Sequence, residues 1–250
     1  MEIITEVTKS RNVVKEILSE DYETNSVPDY TEEEIDKLYR IDIKKSNPFS
    51  ILGYGISCNM SIKHKTIPDH YIHVLYYNFP EIGKSSSKVT KTIIDKIMSL
   101  YINEAIKYTD NIIVIINETI SDTINNMVNT LNIQLHNKFN LDETELGKKL
   151  KEKNSNLQSK HFRFVTLFNV KNLQFNALNH DLVDRHIIIR NTDEINKILK
   201  ICNCTIDQLP VISQGDAIGK LKLIRRGDLC KIERTSKSTG QYDYRELVQG

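Results

Sequence analysis

Apolar residues near the start of the chain recur every three or four positions. Val13, Val14, Ile17 and Leu18 share one face of a helix predicted over Thr8–Glu20. Asp29–Arg40 repeats the pattern, with Thr31 placed to cap, Glu34 three residues on, and Ile35, Leu38 and Tyr39 as its apolar stripe. From Phe49 to Ile62 the alternation shortens to a period of two around Gly53 and Gly55, which predicts a strand or hairpin. Tyr71–Phe79 reads as a strand, and Lys88–Lys107 as a long helix carrying Ile93, Ile94, Ile97, Leu100, Tyr101 and Ala105. Asn111–Ile116 is an apolar strand, and Ser121–Leu131 is again helical. A strand with no polar side needs cover on both faces, so this β-α-β-α order predicts an α/β layer structure. Phe162–Val170 and Leu173–Phe175 are expected as further strands.

Beyond Asn176 the periods become shorter and mixed. Asn191–Asn203 is a predicted helix, with Thr192 as N-cap and Ile195, Ile198, Leu199 and Cys202 on one side. Leu209–Ile212 is a short strand and Asp216–Leu223 a helical turn. Arg226-Gly227-Asp228 is a turn leading into a strand over Leu229–Arg234, and the loop Ser236–Gly240 leads into a last strand, Tyr242–Val248. The expected architecture is an α/β domain over residues 1–175, with a polar insertion at about 141–160, and a small α+β domain over 176–250.

The 250 residues can bury a core without covalent staples. With 39% hydrophobic and 27% charged residues the chain is neither disordered nor membrane-embedded. The net charge of +1 excludes a whole-chain electrostatic grip on nucleic acid, so any such contact must be a local patch. Glu2 and Glu6 stand where a secretory signal needs basic residues, and the apolar run Ile112–Ile116 is too short to span a bilayer. An intracellular protein is expected. Cys58, Cys202, Cys204 and Cys230 make a poor disulfide framework.

Candidate chemistry is sparse. Cys202-Asn203-Cys204 with Cys230 lacks the two-to-four-residue spacing of a zinc knuckle. His64, His70 and His73 have the residue type of metal ligands, but His70 and His73 would point to opposite faces of a strand. Asp69, Glu81 and Lys84 have the types of a metal-dependent nuclease site, where two carboxylates on neighbouring strands share an ion, yet Glu81 and Lys84 follow Pro80 in a loop. Gly53-Tyr54-Gly55 lacks the third glycine and following helix of a nucleotide loop. No Ser-His-Asp arrangement can be assigned from spacing. The basic stretch Lys220, Lys222, Arg225, Arg226, Lys231, Arg234 and Lys237 suits phosphate, RNA or an acidic protein surface, but carries no aromatic groups for stacking on bases.

The run from His180 through Asp181, Leu182, Val183, Asp184, Arg185 and His186 to Ile187 resembles the H-E-L-V-P-x-H signature. That signature opens the assembly domain of the fifth shared subunit of eukaryotic RNA polymerases and of its archaeal counterpart. The blocks that follow stand in the same order as in that family: Leu209-Pro210-Val211-Ile212, Gly215-Asp216-Ala217-Ile218, Arg226–Arg234, Ser236–Tyr242 and Tyr244-Arg245. The N-terminal half is similar, more loosely, to the jaw domain of the eukaryotic members, a half that the archaeal counterpart lacks. Asp184 and Ala217 replace family prolines, and the 141–160 insertion is extra. With the heavy use of Ile, Asn and Lys, these departures point to a divergent copy, such as one from a large DNA virus.

The resemblance implies a non-catalytic polymerase subunit without a cofactor: an α/β jaw domain plus a small α+β assembly domain. The assembly residues it implies are His180, Leu182, Val183, His186, Pro210, Asp216, Arg226, Gly227, Lys231, Arg234, Gly240, Tyr242 and Arg245. Its partners would be the largest polymerase subunit, other polymerase subunits and, weakly and without sequence preference, downstream duplex DNA. Thr119 and Ser121 match a jaw turn that faces that DNA, although Asp122 beside them repels phosphate. The compartment would be the nucleus for a cellular protein, or host cytoplasm or virion for a viral one. A nuclease-like protein or a free-standing nucleic-acid-binding protein is the alternative.

Overall fold

The computed structural model describes residues 2–41, 46–85, 88–138, 148, 161–213, 215–225, 227–234 and 242–248. Among these, backbone contacts separate two compact units: the residues before 141 with Phe162–Phe175, and His161 with the residues from Asn176 on.

The first unit runs α1 (Glu2–Leu18), α2 (Glu32–Tyr39), β1 (Met60–Lys63), β2 (Tyr71–Tyr77), α3 (Thr92–Ile102), β3 (Asn111–Ile116), α4 (Asp122–Lys138) and β4 (Val165–Asn169). The sheet order is β1-β2-β3-β4, with β1 antiparallel to β2 and the other pairs parallel. Every residue of β3 is buried. Its even-numbered side chains Ile112, Val114 and Ile116 join Leu75, Tyr77, Val165 and Leu167 in one cluster with α3 and α4. Behind the sheet, Ser10 of α1 meets the Tyr76 hydroxyl at 2.9 Å, and Arg11 donates to the Cys58 carbonyl. The Asn132 side chain ties α4 to Val165, donating to its carbonyl at 3.0 Å and accepting from its N–H at 2.8 Å.

The second unit runs β5 (Arg185–Ile189), α5 (Thr192–Cys202), β6 (Val211–Ser213), α6 (Ala217–Leu221), β7 (Leu229–Glu233) and β8 (Tyr242–Val248). Its sheet order is β5-β7-β8-β6. The β5–β7 and β7–β8 pairs are antiparallel, and β6 runs parallel to β8. Ile195 of α5 packs on Ile189 and Leu229, while Ile212, Ile224, Cys230 and Ile232 form a second small core.

Several expectations need correction. Helix α1 begins at Glu2, six residues earlier than expected: Ile4 and Val7 are buried as Val13 and Val14 are, and the buried polar Ser10 and Arg11 interrupt the apolar stripe between them. Phe49–Ile62 is not a hairpin: two 3₁₀ turns, Pro48–Leu52 and Ile56–Cys58, precede a strand of only four residues. Gly53 and Gly55, at φ 102° and 78°, reverse the chain there. Leu173–Phe175 is not a strand, since a 3₁₀ turn over Val170–Leu173 ends β4. The helix expected over Lys88–Lys107 shortens to Thr92–Ile102, and α4 extends to Lys138. The N-cap of α5 is Asn191, whose side chain accepts from Asp193 and Glu194 N–H. Cys202 is exposed, because the last turn of α5 extends past the cluster the helix covers. The polar stretch 141–160, Lys148 apart, lies outside the described residues.

Candidate functional site

The second unit carries a groove of about 350 Å³. One wall is built by a tight turn. The His180 carbonyl accepts from Val183 N–H at 2.8 Å, and its Nδ1 accepts from Leu182 N–H at 3.2 Å. With both backbone donors bound inside the turn, the Leu182 side chain faces outward at 87% exposure. The chain then enters β5. His186 Nδ1 lies 2.6 Å from the Asp184 carbonyl, which can only accept, so that nitrogen carries the proton.

The opposite wall is β6 and the start of α6. Pro210 leads into Val211, 57% exposed, and the Asp216 carboxylate caps α6 by accepting from Gly219 N–H at 2.9 Å. Buried Ile212 and Ile232 lie between the walls, and Arg234 completes the rim. Of the residues implied by resemblance, Leu182, Val183, His186, Asp216 and Arg234 therefore meet at one groove. His180 shapes its turn and Pro210 adjoins it. Exposed apolar walls with charged groups at the edge are the composition of a protein-docking surface.

The remaining assembly candidates have other positions. Gly227, at φ 76°, turns the chain into β7. Next to it, fully buried Asp228 accepts from Arg225 N–H at 2.9 Å and Arg190 Nε at 3.3 Å, with His161 Nε2 at 3.5 Å. Lys231 pairs with Glu233 at 3.0 Å. The Tyr242 and Arg245 backbones pair with Glu233 and Cys230 across the β7–β8 ladder. Arg226 and Gly240 lie outside the described residues. The basic stretch does not form one cationic face: Arg225 is buried, and burial lowers the Lys220 pKa.

In the first unit, exposed Thr119 and Ser121 precede α4, and Ser121 Oγ accepts from Ile124 N–H at 3.4 Å. Glu118 at the same turn accepts from Val89 N–H at 2.9 Å, so carboxylates flank both residues. Asp69 and Glu81 fall beyond opposite ends of β2 and pair instead with Lys107 and Lys84. They share no site. Among the described residues no cluster of three His, Cys, Asp or Glu side chains could hold a metal, and no helix is long and apolar enough to cross a membrane. His70 is buried at the head of β2, where desolvation and then His64 push its pKa down to about 4 against the pull of Asp110.

Residues 175–248 match the family model of the RNA polymerase Rpb5 C-terminal domain. Three similar curated proteins are each described as DNA-directed RNA polymerase subunit Rpo5. The protein from Methanothermobacter thermautotrophicus is 36% identical over 72 residues, covering 29% of this chain and 92% of the relative. That from Sulfurisphaera tokodaii is 38% identical over 72 residues, 28% of this chain and 84% of its own. That from Archaeoglobus fulgidus is 33% identical over 76 residues, 30% of this chain and 99% of its own. The matched segment begins at the boundary between the two units and contains the whole groove. Through this segment the chain belongs to the Rpb5/Rpo5 family of DNA-directed RNA polymerase subunits.

Proposed function

We propose that this protein is a non-catalytic subunit of a multisubunit DNA-directed RNA polymerase. Its second unit is the assembly domain, docking on the largest subunit through the groove between Leu182 and Val211. Its first unit is the jaw, flanking the downstream DNA channel. Nucleotidyl transfer belongs to other subunits of the enzyme. The observation that carries this reading is the near-complete coverage of short polymerase subunits by one segment of this chain: a protein of little more than that segment bears the subunit's name. Contact with DNA is confined to backbone phosphates near Thr119 and Ser121, weakened by Glu118 and Asp122, and is blind to sequence. The protein works where its polymerase works, in a nucleus or, for a viral enzyme, in host cytoplasm or virion.

Affinity purification from cells that make the protein tests this. The two largest polymerase subunits should co-purify in near-equal amounts with the tagged chain. Recovery of the chain alone overturns the reading, and metal-dependent DNA cleavage by it would establish a nuclease instead.

A further inference from the structure

A hydrogen-bonded series in the first unit lies outside the polymerase reading. Ser61 on β1 and His73 on β2 are directly opposed across the antiparallel ladder. Ser61 Oγ lies 2.8 Å from His73 Nδ1, and His73 Nε2 lies 2.9 Å from Asp110 Oδ2. Asp110 is 2% exposed, and its other oxygen accepts from Tyr71 N–H at 3.0 Å. A carboxylate only accepts, so in the neutral ring Nε2 carries the proton and the Nδ1 lone pair faces the serine hydroxyl. Ser61 itself is exposed on the edge strand.

From this geometry we infer that Ser61 is an activated nucleophile, with His73 as its base and Asp110 as positioning residue, that takes the acyl group of small esters. In the step, Ser61 Oγ bonds to the carbonyl carbon while its proton passes to His73 Nδ1. The bond to the leaving oxygen then breaks, and the alkoxide takes that proton as an alcohol. Water releases the acid by the reverse proton route. Lys63, opposite Tyr71 on the strand face that carries Ser61, favours esters with an acidic group.

A fluorophosphonate probe tests the nucleophile on the full-length chain. It forms an Oγ–P bond and expels fluoride as the serine proton moves to His73. Peptide mapping should place one adduct at Ser61, absent from Ser61→Ala. His73→Gln should slow labelling about 100-fold, the scale of a lost general base. Ser19 and Ser26, whose exposed hydroxyls donate to the Glu16 and Glu23 carbonyls, serve as internal controls. Labelling of Ser61 no faster than of these two, or equally fast in a folded His73→Gln protein, overturns the inference and leaves the series a clasp between strands. If His73→Gln does not fold, hydrolysis of 4-nitrophenyl acetate by wild type against Ser61→Ala decides: a burst lost in the variant supports the nucleophile, and equal rates overturn it.

Discussion

Leu182, exposed at the proposed docking groove, and His70, buried, carry opposite predictions for binding and stability. Leu182 is almost fully exposed, so Leu182→Asp leaves the fold intact and changes unfolding free energy by no more than about 0.5 kcal/mol. If the groove docks on the largest subunit as proposed, the same change buries an unpaired carboxylate there, and co-purification of the large subunits should fall at least about tenfold. A thermal melt beside a quantitative pull-down separates the two effects. His70 is the reverse case. Its pKa falls from the ordinary 6.5 to about 4 on folding, so the unfolded chain binds more protons between those values. Its contribution is complete above about pH 6.5 and is lost as pH drops towards 4, by on the order of 3 kcal/mol. Urea unfolding across that range should show the slope in wild type and a flatter one in His70→Gln.

At the scale of elements, the caps and turns carry sharper expectations than the strands. Ala217 is the first residue of α6, where a helix leaves the backbone N–H unbonded. Asp216 before it sits at φ −60°, ψ 133°, a conformation that a following proline permits. The family proline therefore fits this backbone, and Ala217→Pro should raise stability by about 0.4–1 kcal/mol, read from the urea midpoint. Asp228 organises the turn before β7 from a fully buried position. Asp228→Ala removes the buried carboxylate that accepts from Arg225 N–H and Arg190 Nε and should cost about 2–4 kcal/mol in the same assay. The β5 strand was not legible in the chain. His186, Ile187 and Ile188 are all half-buried, so no alternation marks them, and only pairing with β7 defines the strand. By contrast, the bounds of β3 and β8 follow directly from their apolar and turn-flanked patterns.

At the scale of the whole molecule, the family match and the first unit are separate matters. Two relatives named as polymerase subunits are matched over 92% and 99% of their length by 72 and 76 residues of this chain, about the size of the segment 175–248 that fits the family model. A fragment of residues 176–250 should therefore still recover the large subunits, within about twofold of the full chain, whereas a fragment ending at Phe175 should recover none. Equal capture by both fragments would overturn the proposed docking through the groove.

Local chemistry written in order along the chain was enough to predict the layered first unit, the capped α2 and the C-terminal family blocks. Periodicity and capping depend on neighbours a few positions apart, and Thr31 with Glu34 forms the expected box. What depended on tertiary structure was every relation between distant residues. It brought Leu182 and Val211 to the walls of one groove, buried Arg225 out of a basic run, sent Asp69 and Glu81 to opposite ends of a strand, and lined up Ser61, His73 and Asp110. Those outcomes follow from strand register and from which face of each element is covered, and neither is encoded by spacing alone.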